Sequence, residues 1–186
     1  MKTKIFIITT LICISLTSCK GEKAEEKVDS STESKIELPE IFFIELDVQI
    51  AQKDDFAVYY TEDGTNNFTG EQAAWRGVTG GTDFEKITFQ LPEPVLPTQI
   101  RLDFGMNKEQ GNVVVKNIKL TFKDQTFEIK GSDFFNYFIQ NELFKTNVNT
   151  ENGTLEILKQ ESNFVTPYFY PTQELIDRLA IITGQK

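Results

Sequence analysis

From Ile41 to Ile50 apolar and polar residues alternate. Phe42, Ile44, Leu46, Val48 and Ile50 share one parity, and Glu45, Asp47 and Gln49 share the other. A period of two predicts a strand with one face in a core and one in water. The pattern returns at Phe56, Val58 and Tyr60, which leaves Ala57 and Tyr59 facing the opposite way. It returns again at Ile87, Phe89 and Leu91 within a strand over Phe84–Leu91, and at Ile100, Leu102 and Phe104 against Arg101 and Asp103. Farther on, Val114, Ile118, Leu120 and Phe122 fall on one face, but Lys116 shares their parity. A β-bulge near Lys116-Asn117 resolves the conflict, because one extra residue re-aims the side chains around it. The Lys123-Asp124-Gln125 turn then leads into a further strand ending near Ile129.

Between these runs lie turn signals. Glu62 to Asn67 is a polar loop in which Gly64 supplies a positive φ. Trp75 falls in the segment Phe68–Gly81, read as irregular, whose glycines lack the strand–helix context of a phosphate loop and mark turns. Pro92, Pro94 and Pro97 make a surface connection, since proline is excluded from central ladders. Gly131-Ser132-Asp133 predicts the cap of a short helix through Phe134, Phe135, Tyr137, Phe138 and Ile139. Asn149–Gly153 reads as a turn, and Thr154–Lys159 and Phe164–Tyr170 as returning strands. Pro171 opens a final helix, with Glu174 and Asp177 near its positive end. Its stripe of Leu175, Ile176, Leu179 and Ile182 is expected to pack on the strands.

The first residues carry an address. Lys2 and Lys4 precede the apolar run Ile5–Ile14, followed by Ser15-Leu16-Thr17-Ser18-Cys19. A basic start, an apolar core of about ten residues and a small-residue cleavage site describe a secretory signal peptide over residues 1–18, too short for a membrane span. The ending Leu16-Thr17-Ser18-Cys19 resembles the lipobox of bacterial lipoproteins. That resemblance implies cleavage before Cys19, a diacylglycerol on its sulfur and a fatty acyl chain such as palmitate on its new amino group. Several acyl chains anchor stably where one does not, at about 0.8 kcal/mol per buried methylene. It also implies an envelope location, and Lys20 in place of an inner-membrane-retaining aspartate points to the outer membrane. Cys13 leaves with the signal, so the mature chain has one cysteine and no internal disulfide.

Residues 19–38 are charged, rich in Ser and Thr and free of aromatics, the composition of a flexible tether. Residues 39–186 are long enough for one domain with its own core.

Composition narrows the function classes. The formal charge is −9, and losing Lys2 and Lys4 makes the mature chain more acidic still, which argues against nucleic acid as a partner. Histidine is absent, removing the commonest general base and the commonest metal ligand, and no carboxylate pair stands out among 28 acidic residues. A non-catalytic role is expected. Asp63 and its loop offer oxygen ligands, so calcium is the one cofactor to weigh, although the spacing is not that of an EF-hand.

The order of strands and turns is similar to the jelly-roll, carbohydrate-binding-module-like β-sandwich of bacterial cell-surface polysaccharide proteins. The shared marks are Tyr59-Tyr60 before a glycine turn, a strand ending in Leu91-Pro92, and Arg101-Leu102-Asp103, within roughly residues 41–129. Phe104 stands where that pattern usually has proline. The resemblance implies an antiparallel jelly-roll sandwich and carbohydrate as ligand; with the helix opened by Pro171, the whole is expected to be mainly β with a short C-terminal helix. Sugar sites need an aromatic plate beside polar groups. Tyr59, on the non-core face, and Trp75 are the candidate plates, and Arg101 and Asp103 the candidate hydrogen-bonding groups. The bland alternatives are a buried Trp75, large aromatics being core residues by preference, and an Arg101–Asp103 charge ladder. The other role expected of such a lipoprotein is docking another envelope protein.

Overall fold

A computed structural model describes residues 40–161 and 163–185. The predicted signal peptide, Cys19 and the tether lie outside the described residues. Ten strands form two antiparallel sheets. The larger contains β1 (Phe42–Ile50), β4 (Glu85–Gln90), β6 (Val113–Phe122), β7 (Gln125–Lys130), β8 (Thr146–Asn149) and β9 (Thr154–Ile157). The smaller contains β2 (Asp54–Thr61), β3 (Ala73–Val78), β5 (Gln99–Asp103) and β10 (Tyr168–Phe169). Two helices lie in the second half, α1 (Phe134–Tyr137) between β7 and β8 and α2 (Gln173–Thr183) after the last strand.

The order across the larger sheet is β4-β1-β6-β9-β8 with β7 also on β6, and across the smaller β10-β5-β2-β3. From β1 to β6 the chain crosses between sheets at every step except β2 to β3. Those six strands have the neighbours of the third to eighth strands of a jelly roll. The first two positions, beside β6 and beside β5, are filled from the far end of the chain by β9 and β10. The fold is a jelly-roll β-sandwich in circularly permuted order.

The inward faces follow the alternation in the sequence. In β1 every second residue from Phe42 to Ile50 is buried. Phe56, Val58, Tyr60, Ile87, Phe89, Ile100 and Leu102 meet them from the other strands in one continuous core. Burial of a side chain of this size stabilises by about 1.5–3 kcal/mol, so this face dominates the fold's energetics. Phenylalanines fill the end nearest α1: Phe134 stacks on Phe138 at 4.6 Å and meets Phe169 edge-on at 5.1 Å.

The bulge in β6 sits where the alternation fails. Asp47 pairs with Asn117 and Val48 with Val115, so Lys116 has no partner on β1. Parity reverses there, so Val113 and Val115 point into the core rather than Val114, which the unbroken alternation had placed inward. The bulge also marks a change of partner on β6's other edge. Residues 117–122 pair with β7, and residues 113–115 with β9. Gly131 stands at this junction, where a Cβ would lie 2.0 Å from the Val115 carbonyl oxygen and 2.6 Å from the Leu155 nitrogen. Only glycine fits that approach.

Several sequence expectations need correction. The segment Ala73–Val78 is a strand, paired along β2 from Asp54↔Val78 to Tyr59↔Ala73. The first helix is one short turn after a 3-10 turn over Gly131–Asp133, and Asp133 makes no side-chain cap. The last strand contracts to Tyr168–Phe169, and β8 pairs with β9 where no strand was expected. Helix α2 forms as predicted. Thr172 caps it by accepting from the Leu175 N–H, and Gly184 ends it in the left-handed region. Its buried Leu175, Leu179 and Ile182 face β5, β6 and β7, closing one side of the sandwich. Ile176 is only half-buried.

The β3–β4 side is held by side chains. Arg76 donates through Nε to the Thr88 carbonyl of β4 at 2.8 Å. Glu85 accepts from the Thr79 N–H at 3.0 Å and the Gly80 N–H at 3.2 Å. Edge strands left bare invite pairing with other chains, and these bonds tie two edges together.

Candidate functional site

The outer faces of the two sheets differ in chemistry. On the larger sheet, Lys86, Asp47, Asn117 and Lys130 lie in register, and Lys86 reaches Glu45 at 3.5 Å. That is a solvated charge ladder. The outer face of the smaller sheet carries rings instead.

Two rows cross the smaller sheet. Trp75, Ala57, Asp103 and Tyr168 are successive cross-strand partners from β3 to β10. In the next row Ala73, Tyr59 and Arg101 are partners, and Tyr170 follows Tyr168 with the same parity. All four residues singled out from the sequence are thus neighbours on one face. Four strands at a spacing of ~4.8 Å put Trp75 and Tyr168 about 14 Å apart.

Arg101 is the hub. Its guanidinium carbon lies 4.1 Å from the Tyr59 ring centre, 5.5 Å from Tyr168, 5.6 Å from Phe68 and 5.7 Å from Tyr170. Nε and one terminal nitrogen each donate to an Asp103 carboxylate oxygen at 2.8 Å, a bidentate pair. Their side chains are only 17% and 9% exposed. Burial pulls the guanidinium pKa down, but the hydrogen bond and charge of Asp103, helped by Tyr170, bring it above its ordinary value. Burial pushes the Asp103 carboxyl up, outweighing the hydrogen bond and charge of Arg101. Two residues apart on one strand, the pair is joined within β5; the cross-strand charge ladder weighed from the sequence is on the other sheet.

The rings also touch one another. Tyr59 and Trp75 meet edge-on at 6.1 Å, Tyr168 and Tyr170 edge-on at 5.7 Å, and Phe68 leans on Tyr170 at 5.6 Å. Trp75 is 42% exposed, so it is neither a loop residue nor a core one. Ala57 points outward yet is fully buried, because its larger neighbours close over it. The result is a continuous ring surface around a neutralised ion pair.

Sequence reasoning missed Phe68, Tyr168 and Tyr170. Phe169 is buried between the two tyrosines, and that alternation placed them outward. Their neighbour β5 lies more than sixty positions earlier in the chain, and no local pattern reports such a pairing.

The Asp63 loop is occupied by its own backbone. The carboxylate accepts from the Thr65 N–H at 3.0 Å and the Thr65 hydroxyl at 2.8 Å, which lowers its pKa. No group of three or more potential metal ligands occurs among the described residues. A concavity of about 630 Å³ lies beside the β6 bulge, lined by Asp47, Lys116, Lys130, Asp133 and Asn152 among others. It contains no aromatic ring and so no plate for stacking. Among the described residues no helix is long and apolar enough to cross a membrane. No protein-family model, curated protein or solved structure gives a significant match to this chain.

Proposed function

We propose that the chain is a lipid-anchored lipoprotein of the outer membrane whose β-sandwich binds carbohydrate without catalysing a reaction. The observation that carries the reading is the ring surface centred on Arg101. Sugar rings have apolar faces and polar rims. Exposed Trp75 and half-exposed Tyr59, Tyr168 and Tyr170 supply flat apolar area with little rotamer entropy to lose, and the tyrosine hydroxyls supply hydrogen bonds. The lipobox-like Leu16-Thr17-Ser18-Cys19 supports anchoring through acylated Cys19. The absence of histidine supports a binding rather than a catalytic role.

The test is a glycan array probed with the full chain, purified in a detergent without sugar head groups. Reproducible binding that Trp75→Ala and Tyr59→Ala abolish, with the fold intact by circular dichroism, supports the reading. Silence from the folded protein overturns it. Anchoring is checked separately by palmitate labelling, which Cys19→Ala should eliminate.

A second reading rests on another surface. Leu143 and Val165 are exposed beside a groove of about 530 Å³ that Lys145 and Lys159 also line, and such a patch suits docking against another envelope protein.

A further inference from the structure

We infer that the ring surface selects uncharged oligosaccharides over acidic ones, and does so without a metal ion. The inference rests on the carbohydrate reading above and deepens it. An acidic glycan needs a cation with donors to spare. Arg101 is the cation at the centre of this face, and its bidentate partner Asp103 already neutralises it at 2.8 Å on both contacts. Its flat face is covered by Tyr59 at 4.1 Å. The whole Arg101 side chain is only 17% exposed, and its guanidinium is also ringed by Phe68, Tyr168 and Tyr170. Arg101 is therefore a positioning residue: it fixes the planes of four rings and has no free charge to offer a ligand.

The surroundings do not supply the missing cation. Arg76, next to Trp75, is committed to the Thr88 carbonyl at 2.8 Å and to the Trp75 carbonyl at 3.0 Å. The chain as a whole carries a formal charge of −9, so an anionic polymer meets repulsion on approach. A calcium bridge, the usual way for an acidic protein to hold an acidic sugar, draws on clustered carboxylates, and no group of three or more Asp, Glu, His or Cys side chains placed to hold a metal occurs among the described residues. Stacking on rings and hydrogen bonding to hydroxyls remain, and both suit a neutral chain. The row from Trp75 to Tyr168 spans about 14 Å, longer than a single sugar ring, so the ligand is an oligosaccharide laid across the strands.

The experiment is calorimetric titration of the full chain with matched pairs of oligosaccharides: neutral hexose oligomers and their uronic acid or sulfated counterparts. Each is titrated with and without EDTA, at ~50 and ~500 mM salt. The expected result is a neutral member that binds at least about tenfold tighter than its acidic counterpart, indifferent to EDTA and salt. Preference for the acidic member, or loss of binding in EDTA, overturns the inference and leaves the carbohydrate reading standing. Binding of no oligosaccharide overturns both. Asp103→Asn provides an independent check, because it frees the Arg101 charge while keeping a hydrogen-bond partner of the same shape. In the folded variant the acidic counterpart should gain affinity relative to the neutral one, and no gain overturns the inference.

Discussion

Arg101 and Tyr59 are cross-strand partners on β5 and β2, and the guanidinium carbon lies 4.1 Å from the centre of the tyrosine ring. With the edge of the guanidinium bound to Asp103 and its face against Tyr59, one side chain joins the ion pair of this face to its aromatic surface. Cation–π contacts with desolvated guanidinium are worth about 2 kcal/mol or more, so this is a structural joint as well as part of a binding surface.

Removing one half of the ion pair should therefore cost more than removing both. Arg101→Leu leaves the Asp103 carboxylate with no partner in a nearly dry position, and should destabilise by about 3 kcal/mol. The double variant Arg101→Leu, Asp103→Leu should recover more than half of that loss. Urea denaturation of the two single variants, the double variant and the parent closes the cycle. A double variant as unstable as Arg101→Leu would mean that the stacked rings, not the charge, set the cost.

Trp75→Ala should separate binding from stability. The indole is 42% exposed and touches Tyr59 only at its edge, so the melting temperature should fall by no more than about 4 °C. Glycan affinity should fall by about tenfold or more. Differential scanning calorimetry and calorimetric titration on the same preparation decide it.

Gly131→Ala should be among the most damaging single substitutions in the domain. Its Cβ would lie 2.0 Å from the Val115 oxygen, with backbone of β9 on the other side, so neither neighbour can yield without breaking a ladder. A loss of about 4 kcal/mol is expected, against about 1 kcal/mol for Gly64→Ala, where open space leaves only the cost of a positive φ. Denaturant midpoints of the two variants give the comparison.

Glu85 should contribute an acid-sensitive increment of stability. Burial raises its pKa, but hydrogen bonds from Gly80 and Thr79 outweigh that and hold it below the ordinary 4.5. A depressed folded pKa means stability that is present above the unfolded value and lost as pH falls through the folded one. Parent and Glu85→Gln should thus differ in urea midpoint at pH 7 and converge below the ordinary carboxylate range. A constant gap across that range would show that the hydrogen bonds stabilise without the charge.

How much of this could be read beforehand depends on the range of the interactions. The alternation in β1 and β4 reports burial residue by residue, in β5 it fails only at Asp103, which faces outward yet is buried, and the lysine out of phase at Lys116 located the bulge. The outward parity of Tyr59, Arg101 and Asp103 was legible for the same reason. Trp75 was misplaced because Ala73–Val78 has no alternation of its own: its exposed residues lie on a sheet-edge strand whose order comes from pairing with β2. The tyrosines of β10 escaped because a two-residue strand carries too short a pattern. Their place is set by Phe169, buried against Phe104, Phe134 and Phe144, residues spread over forty positions.

The permuted strand order also bears on when the protein can fold. The positions beside residues 113–115 of β6 and beside β5 stay empty until Thr154–Ile157 and Tyr168–Phe169 have left the ribosome. Every shorter nascent chain exposes an unpaired edge on both sheets and lacks Phe169 from its aromatic end. Contacts that close so late in the sequence delay folding. The C-terminal strands act as a latch on the two sheets, the last strands to be made and the last to close.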